Sequence, residues 1–175
     1  MTISEEYREL NRQLHQTNEH YGVSSAKWVG LARELIIGNG VASFLDYGCG
    51  KALLLDAIEK EFGDRVQCQG YDPAIESYAA PPQPADLVVC TDVLEHVEPE
   101  HLDAVLDDLA RLTKRAAFLV VATGPAKKIL PDGRNAHLIQ ESYHWWLPRI
   151  WQRWDLISFH CQSTWEFQVI VAAKG

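Results

Sequence analysis

The chain has 175 residues, 47% hydrophobic and 23% charged, enough for one sizeable core and short for two, so a single domain over residues 1–175 is expected. With 16 Lys and Arg against 24 Asp and Glu, the formal net charge is −8, which disfavours duplex nucleic acid as a partner unless basic residues gather locally. No apolar run reaches the ~18 residues of a membrane span, and Met1-Thr2-Ile3-Ser4-Glu5-Glu6 is not a basic-then-apolar leader. Cys49, Cys68, Cys90 and Cys161 are widely spaced, without a Cys-x-x-Cys pair. The expectation is a cytoplasmic protein with no membrane contact and with reduced core thiols.

Glu5 to Tyr21 reads as a helix with Leu10 and Leu14 on one face. Tyr21-Gly22-Val23-Ser24-Ser25 breaks it, and Ser25 is placed to cap a second helix over Ala26–Ile37, which Gly38-Asn39-Gly40 ends. Val41-Ala42-Ser43-Phe44-Leu45 then forms a short apolar strand. It runs through Asp46-Tyr47-Gly48-Cys49-Gly50-Lys51 into a helix from Ala52 to Phe62, apolar at positions 53, 54, 55, 57, 58 and 62 as a helix packed on a sheet would be. Gly48 and Gly50 have no Cβ, so a ligand can approach the main chain there. Asp46 adds an acceptor or counter-charge at the strand end, and free amides at the helix start attract partial negative charge. The loop is therefore a site for a nucleoside cofactor. A dinucleotide fingerprint would need a glycine where Leu53 stands, and a phosphate-binding P-loop would need Ser or Thr at Ala52 and glycine at Leu45. Both readings fail.

Val66 to Tyr71 reads as a second strand ending in Asp72-Pro73, with Asp72 24 positions after Gly48. A carboxylate there can bind both hydroxyls of a ribose. In Ala79-Ala80-Pro81-Pro82-Gln83-Pro84 three prolines leave little room for a third strand and its helix, so that strand is expected to be short or missing. Asp86 to Val93 is a further strand, followed by Leu94-Glu95-His96-Val97. Leu102–Leu112 is an amphipathic helix, and Ala116–Ala122 a strand buried on both faces. Pro131-Asp132-Gly133-Arg134-Asn135-Ala136-His137-Leu138 is a turn dense with hydrogen-bonding groups, and Tyr143, His144, Trp145, Trp146, Trp151 and Trp154 come after it. Trp151 and Trp154 fit the apolar stripe of a helix on the sheet; Trp145 and Trp146 are adjacent and face different ways, which puts at least one near a pocket. Asp155–Gln162 and Glu166–Ala173, separated by Ser163-Thr164-Trp165, make an antiparallel hairpin. The alternation implies a Rossmann-like, doubly wound, mostly parallel α/β sheet with that hairpin at its C-terminal end.

The acidic-x-Gly-x-Gly run of Asp46 to Gly50, the acid at Asp72, the strand with its Leu-Glu-His-Val sequel and the closing hairpin together resemble the class I S-adenosylmethionine-dependent methyltransferases, over roughly residues 26–175. The chain departs from the family's pattern at Ala52, where many members have a third glycine, and at the prolines. The resemblance implies S-adenosyl-L-methionine as cofactor, held by Asp46, Gly48, Cys49, Gly50, Asp72, Pro73, Thr91, Asp92 and Val93. Residues 1–25 become a helical lid that brings Tyr21 over the cofactor, and residues 124–154 a substrate-side insertion. There Arg134 and Asn135 would orient an acceptor between walls of His144, Trp145 and Trp146. Lys127, Lys128, Arg134, Arg149 and Arg153 would form a basic rim for a phosphate or carboxylate. The sulfonium is already electrophilic, so alignment does most of the work and a base is needed only for a protonated acceptor. His137 is the first choice and His96 the second, with His144 third. No metal-ligand spacing stands out among the seven histidines. The expected reaction is methyl transfer to a small polar acceptor such as a sugar or nucleotide. The alternatives are a nucleic-acid methyltransferase or an inactive cofactor-binding accessory subunit; oligomeric state is not encoded in any pattern recognised.

Overall fold

The computed structural model describes residues 2–18, 21–163 and 165–175. Among the described residues six strands form one sheet: β1 (Ser43–Tyr47), β2 (Gln67–Tyr71), β3 (Ala85–Thr91), β4 (Thr113–Ala122), β5 (Trp154–Ser163) and β6 (Glu166–Ala173). Their order is β2-β1-β3-β4-β6-β5. The first four are parallel, and β6 runs antiparallel between β4 and β5. This is the expected α/β architecture with its terminal hairpin.

Strand alternation divides the core into two layers. Leu45, Ala117, Leu119 and Val121 face one cluster while Phe44, Phe118 and Val120 face the other, the period of two that a pleated strand imposes. The first layer is roofed by α4 (Leu102–Leu112) and α5 (Tyr143–Trp151), the second by α2 (Val29–Asn39) and α3 (Leu53–Phe62). In α4 the buried residues are Leu102, Val105, Leu106, Leu109 and Leu112, the three-and-four spacing of a single apolar stripe.

Between Asp72 and Ala85 the only regular element is a one-turn 3₁₀ segment at Glu76–Tyr78, so the expected third strand is missing and β2 is an edge. The Gln69 side chain covers that edge as a ladder rung would. Its Oε1 accepts from Gln83 N at 2.9 Å and its Nε2 donates to Gln83 O at 3.3 Å, beside prolines that have no N–H to give.

Several boundaries differ from the sequence expectation. The first helix, α1, spans Glu5–Thr17 and starts at Ser4, whose hydroxyl accepts from Tyr7 N at 3.1 Å. Its expected extension to Tyr21 crosses residues 19 and 20, which lie outside the described residues, as does Thr164 in the hairpin link. Ser25 is not a cap: Ser24–Trp28 is a 3₁₀ turn, and α2 begins only at Val29. Trp154 opens β5 and is buried in the core rather than lying on a helix, and Trp151 is 47% exposed. The four cysteines are free, and no helix among the described residues is long and apolar enough to cross a membrane.

Burial makes two of these side chains testable. Trp146 is wholly buried and its Nε1 donates to Glu141 O at 3.1 Å, so Trp146→Ala should lose about 3–5 kcal/mol in denaturant unfolding, against less than about 0.5 kcal/mol for the exposed Trp151→Ala. Asp46 is 1% exposed, and burial, reinforced by Asp72, pushes its carboxyl from 3.8 up to about 7. Between those values the folded state keeps a proton that the unfolded chain has released. Stability present below pH 3.8 is therefore lost as pH rises through about 7, on the order of 1 kcal/mol per pH unit. Unfolding curves of wild type and Asp46→Asn across this window should diverge, with the variant gaining on wild type as pH rises; parallel pH profiles would contradict this.

Candidate active site

β2 and β3 pair with opposite edges of β1, so the loops leaving the carboxyl ends of these strands part and open a crevice. A cavity of about 510 Å³ occupies it. Its floor is the β1 exit (Tyr47, Gly48, Gly50), the β2 exit (Asp72, Pro73, Ala74) and the β3 exit (Thr91, Asp92, Val93). Tyr7, Asn11 and His15 of α1, with Tyr21 and Gly22, close one side, and Lys127, Lys128, Ala136 and His137 close another.

The two glycines of the first loop are needed for contacts within the protein. A Cβ on Gly48 would stand 2.3 Å from Val93 Cγ2, and one on Gly50 would stand 2.6 Å from Gly22 O. Both have positive φ, 77° and 54°, a region open to glycine at little cost. The close approach lets Lys51 N donate to Gly22 O at 2.9 Å, which pins the segment after α1 onto the Gly48–Gly50 loop. Ala52, where the third glycine was missing, also has positive φ, 59°.

Of the ten residues expected at the cofactor, Gly48, Gly50, Asp72, Pro73, Thr91, Asp92, Val93 and Tyr21 line the cavity; Asp46 and Cys49 are buried behind it. Asp46 takes a hydrogen bond from the Leu55 backbone, and the Cys49 thiol lies beneath Gly70, where burial pushes its pKa up. Asp72 accepts from Gly50 N at 3.2 Å and from Ala74 N at 2.9 Å. His15 Nε2 stands 3.9 Å from it. Burial raises the Asp72 carboxyl and lowers the His15 imidazole. Asp92 has φ 55° and lies 3.4 Å from Lys27 Nζ, which also reaches Glu166 at 2.9 Å. Tyr21 donates to Asn11 Oδ1 at 2.7 Å, and Lys128 Nζ lies 4.8 Å from its ring centre.

Beyond the β3 exit, Glu95 is fully buried. Its Oε1 accepts from Ala122 N at 3.1 Å, while Oε2 has no hydrogen-bond partner among the described residues. Burial, then Asp92, pushes this carboxyl up to about 8. His96 and His137 stand edge to face, with ring centres 4.8 Å apart. His96 Nδ1 is 2.7 Å from Ala136 O and His137 Nδ1 is 2.6 Å from Gly124 O. A carbonyl only accepts, so each Nδ1 carries the proton and each Nε2 keeps its lone pair. Burial, with His137 beside it, lowers His96 to about 4. The Glu95 carboxylate and the two imidazoles bring donor atoms within 4.8 Å of one another and could hold a metal, a grouping that spacing along the chain had not disclosed.

The expected substrate wall is where structure and sequence part. Trp146 belongs to the core. Trp145 lies under the Arg149 guanidinium, 3.6 Å from its ring centre, and His144 stacks on Tyr143 with ring centres 4.2 Å apart. None of the three lines the cavity. The physical reason is that α5 packs flat on the sheet, so its aromatic side fills the core. Arg134 also points elsewhere, pairing with Asp132 at 2.6 Å above the Tyr7 ring. Arg153 reaches Asp103 and Asp107 on α4 at 2.9 and 2.6 Å. Of the expected basic rim only Lys127 and Lys128 line the cavity. Asn135 does not line it, but shapes its edge: Oδ1 accepts from Ala126 N and His137 N, both at 2.9 Å, and Nδ2 donates to Ala126 O at 2.9 Å. Tyr7, Asn11 and His15 were not singled out from the sequence, although their i, i+4, i+8 spacing places them on one face of α1.

A family model described as a methyltransferase domain matches residues 9–166. No curated protein matches the sequence. Among solved structures, an O-methyltransferase family protein from Burkholderia thailandensis is 14% identical with a TM-score of 0.64, over 86% of this chain and 56% of that one. Magnesium protoporphyrin IX methyltransferase from Synechocystis PCC 6803, with bound SAM, is 14% identical with a TM-score of 0.66, over 99% of this chain and 100% of that one. The N-methyltransferase NodS from Bradyrhizobium japonicum WM9, in complex with S-adenosyl-L-homocysteine, is 11% identical with a TM-score of 0.60, over 97% and 100%. The chain thus spans little more than half of the first of these and the full length of the other two, and at such identities the likeness is one of fold. With its family match running over residues 9–166 of a sheet wound around the β1 crevice, the chain belongs to the methyltransferase domain family.

Proposed function

We propose that the chain transfers a methyl group from S-adenosylmethionine to a small polar acceptor. The observation that carries this reading is the Asp72 carboxylate, buried at the end of β2 and lining the crevice beside the Gly48–Gly50 loop. It stands where a ribose would present its two hydroxyls, and the glycine loop stands where the amino-acid end of the cofactor would pass. Two proteins of this fold were crystallised with SAM or with S-adenosyl-L-homocysteine, which supports the same cofactor here. Thr91, Asp92 and Val93 then flank the sulfonium. The α1 segment acts as a lid, with Tyr21 and His15 over the adenosyl group.

The acceptor sits between the β3 exit and the loop of residues 124–137, where Lys127, Lys128, His96 and His137 converge. Cavity size and a net charge of −8 favour a metabolite over a duplex nucleic acid. The lone pair on His137 Nε2 is the group that activates the acceptor, held in position by Gly124 O and by Asn135. A cytoplasmic location fits the four free thiols.

Calorimetry with S-adenosylhomocysteine should show one site per chain, weakened about 10–100-fold in Asp72→Ala through loss of charged hydrogen bonds, with Asp72→Asn between the two. No heat with wild-type protein would overturn the reading. With labelled methyl donor and a metabolite extract, His137→Ala should keep S-adenosylhomocysteine affinity and lose about 10²-fold or more in turnover; unchanged turnover would leave the loop with a shaping role only.

A further inference from the structure

We propose that Glu95, His96 and His137 form a binding site for a divalent metal ion of the zinc and manganese class, facing the active-site cavity. The three residues line that cavity, and their donor atoms lie within 4.8 Å of one another. Two imidazole nitrogens and one carboxylate oxygen are the donor set of open, three-ligand metal centres; the imidazoles suit zinc and the carboxylate admits manganese, whereas magnesium and calcium take mainly oxygen ligands.

Two observations independent of the clustering support it. Each histidine donates its Nδ1 proton to a backbone carbonyl, Ala136 O for His96 at 2.7 Å and Gly124 O for His137 at 2.6 Å. This is the outer-shell bond that fixes the tautomer and aims the Nε2 lone pair of a metal-ligating histidine. The second is Glu95 itself. Its Oε2 is wholly buried and unpartnered among the described residues, on a side chain that lines the cavity. A buried carboxylate oxygen left without a donor costs free energy, and a cation shared with the two imidazoles removes that cost. Asp92, close enough to act on Glu95 electrostatically, places a further carboxyl group nearby, which it shares with Lys27. Lys128 acts on His96 in the opposite sense.

Ligand atoms about 2.0–2.2 Å from a zinc ion stand about 3.3–3.6 Å apart. The side chains therefore close by at most about 1.5 Å on binding, a shift within side-chain rotation. Three protein ligands leave at least one coordination position open towards the cavity. The use of the ion in methyl transfer rests on the proposed function, whereas the binding site does not. An acceptor hydroxyl bound at the open position becomes more acidic, as metal-bound water does. Its proton leaves to solvent, the new O–CH₃ bond forms as the S–CH₃ bond breaks, and the sulfonium becomes a neutral thioether. His137 then activates the acceptor through the metal rather than as a free base. The substrate class this favours is a hydroxylated one, with a second oxygen close enough to share the ion.

The test is calorimetric titration of the tag-free, chelator-treated protein with Zn²⁺, and with Co²⁺ monitored by its ligand-field absorption. The expected result is one ion per chain with a dissociation constant at or below the micromolar range, weakened at least 100-fold in His96→Gln, His137→Gln and Glu95→Gln. Circular dichroism and S-adenosylhomocysteine binding of each variant show whether it is folded. Should one variant fail to fold, the Co²⁺ spectrum of wild type still decides, since histidine and carboxylate ligation differs from hydrated Co²⁺. Absence of Zn²⁺ binding, or equal affinity in wild type and a folded His96→Gln/His137→Gln double variant, would overturn the site. If Zn²⁺ binds and S-adenosylhomocysteine does not, the methyl-transfer reading falls and the metal site stands; the reverse outcome removes only the metal site.

Discussion

Because β2 and β3 take opposite edges of β1, the chain must leave the middle of its own sheet in two directions, and no strand can fill the gap between the exits. Every group proposed to act on cofactor or acceptor is delivered to that gap by a strand end or by a loop folded over one. The contact between Gly22 and Gly50 then sets how the gap is covered. With no side chain on either residue the two backbones touch, Lys51 N binds Gly22 O, and His15 and Tyr21 are carried over Asp72. Ser4 adds a second anchor for the same helix, bonding both Glu98 carboxylate oxygens at 2.8 and 2.6 Å.

Local pattern was enough to read the sheet and most of the strand-end residues that line its crevice. Asp46 to Gly50, Asp72 and the Thr91–Val93 strand end each lie at a break between an apolar strand and the loop leaving it, and a parallel sheet puts all such breaks at one edge. The missing strand was legible for the same local reason, since three prolines cannot supply ladder donors. Asp46 and Cys49, expected at the cofactor, are buried and do not line the crevice. Side chains alternate along an extended chain, and only the packing of α3 against β1 decides which of them turns inward.

The rest of the crevice lining was less legible because its geometry is set by tertiary contacts. Which side of α5 meets the sheet decides whether Trp145 or Trp146 is core, and adjacent tryptophans give no periodic signal to settle it. The polar face of α1 reads as a solvated face in sequence, yet Asn11 and His15 spend it on the cavity. Glu95 and His96 are far in sequence from His137, and no ligand spacing links them. They meet because the loop after β4 folds back across the β3 exit, tied down by Ile139 N on Glu95 O at 3.0 Å and by His96 on Ala136 O. Asp46 and Glu95, each with a buried carboxyl oxygen that has no hydrogen-bond partner among the described residues, and the buried Asp72 concentrate at this edge of the sheet, the pattern expected of a binding site.

The most decisive single measurement is a crystal structure of the protein grown with S-adenosylhomocysteine. The homocysteine end should lie against the Gly48–Gly50 loop, with both ribose hydroxyls within hydrogen-bonding distance of Asp72, beneath Tyr21. Ligand density outside the β1 crevice, or a ribose turned away from Asp72, would show that the crevice is not the cofactor site.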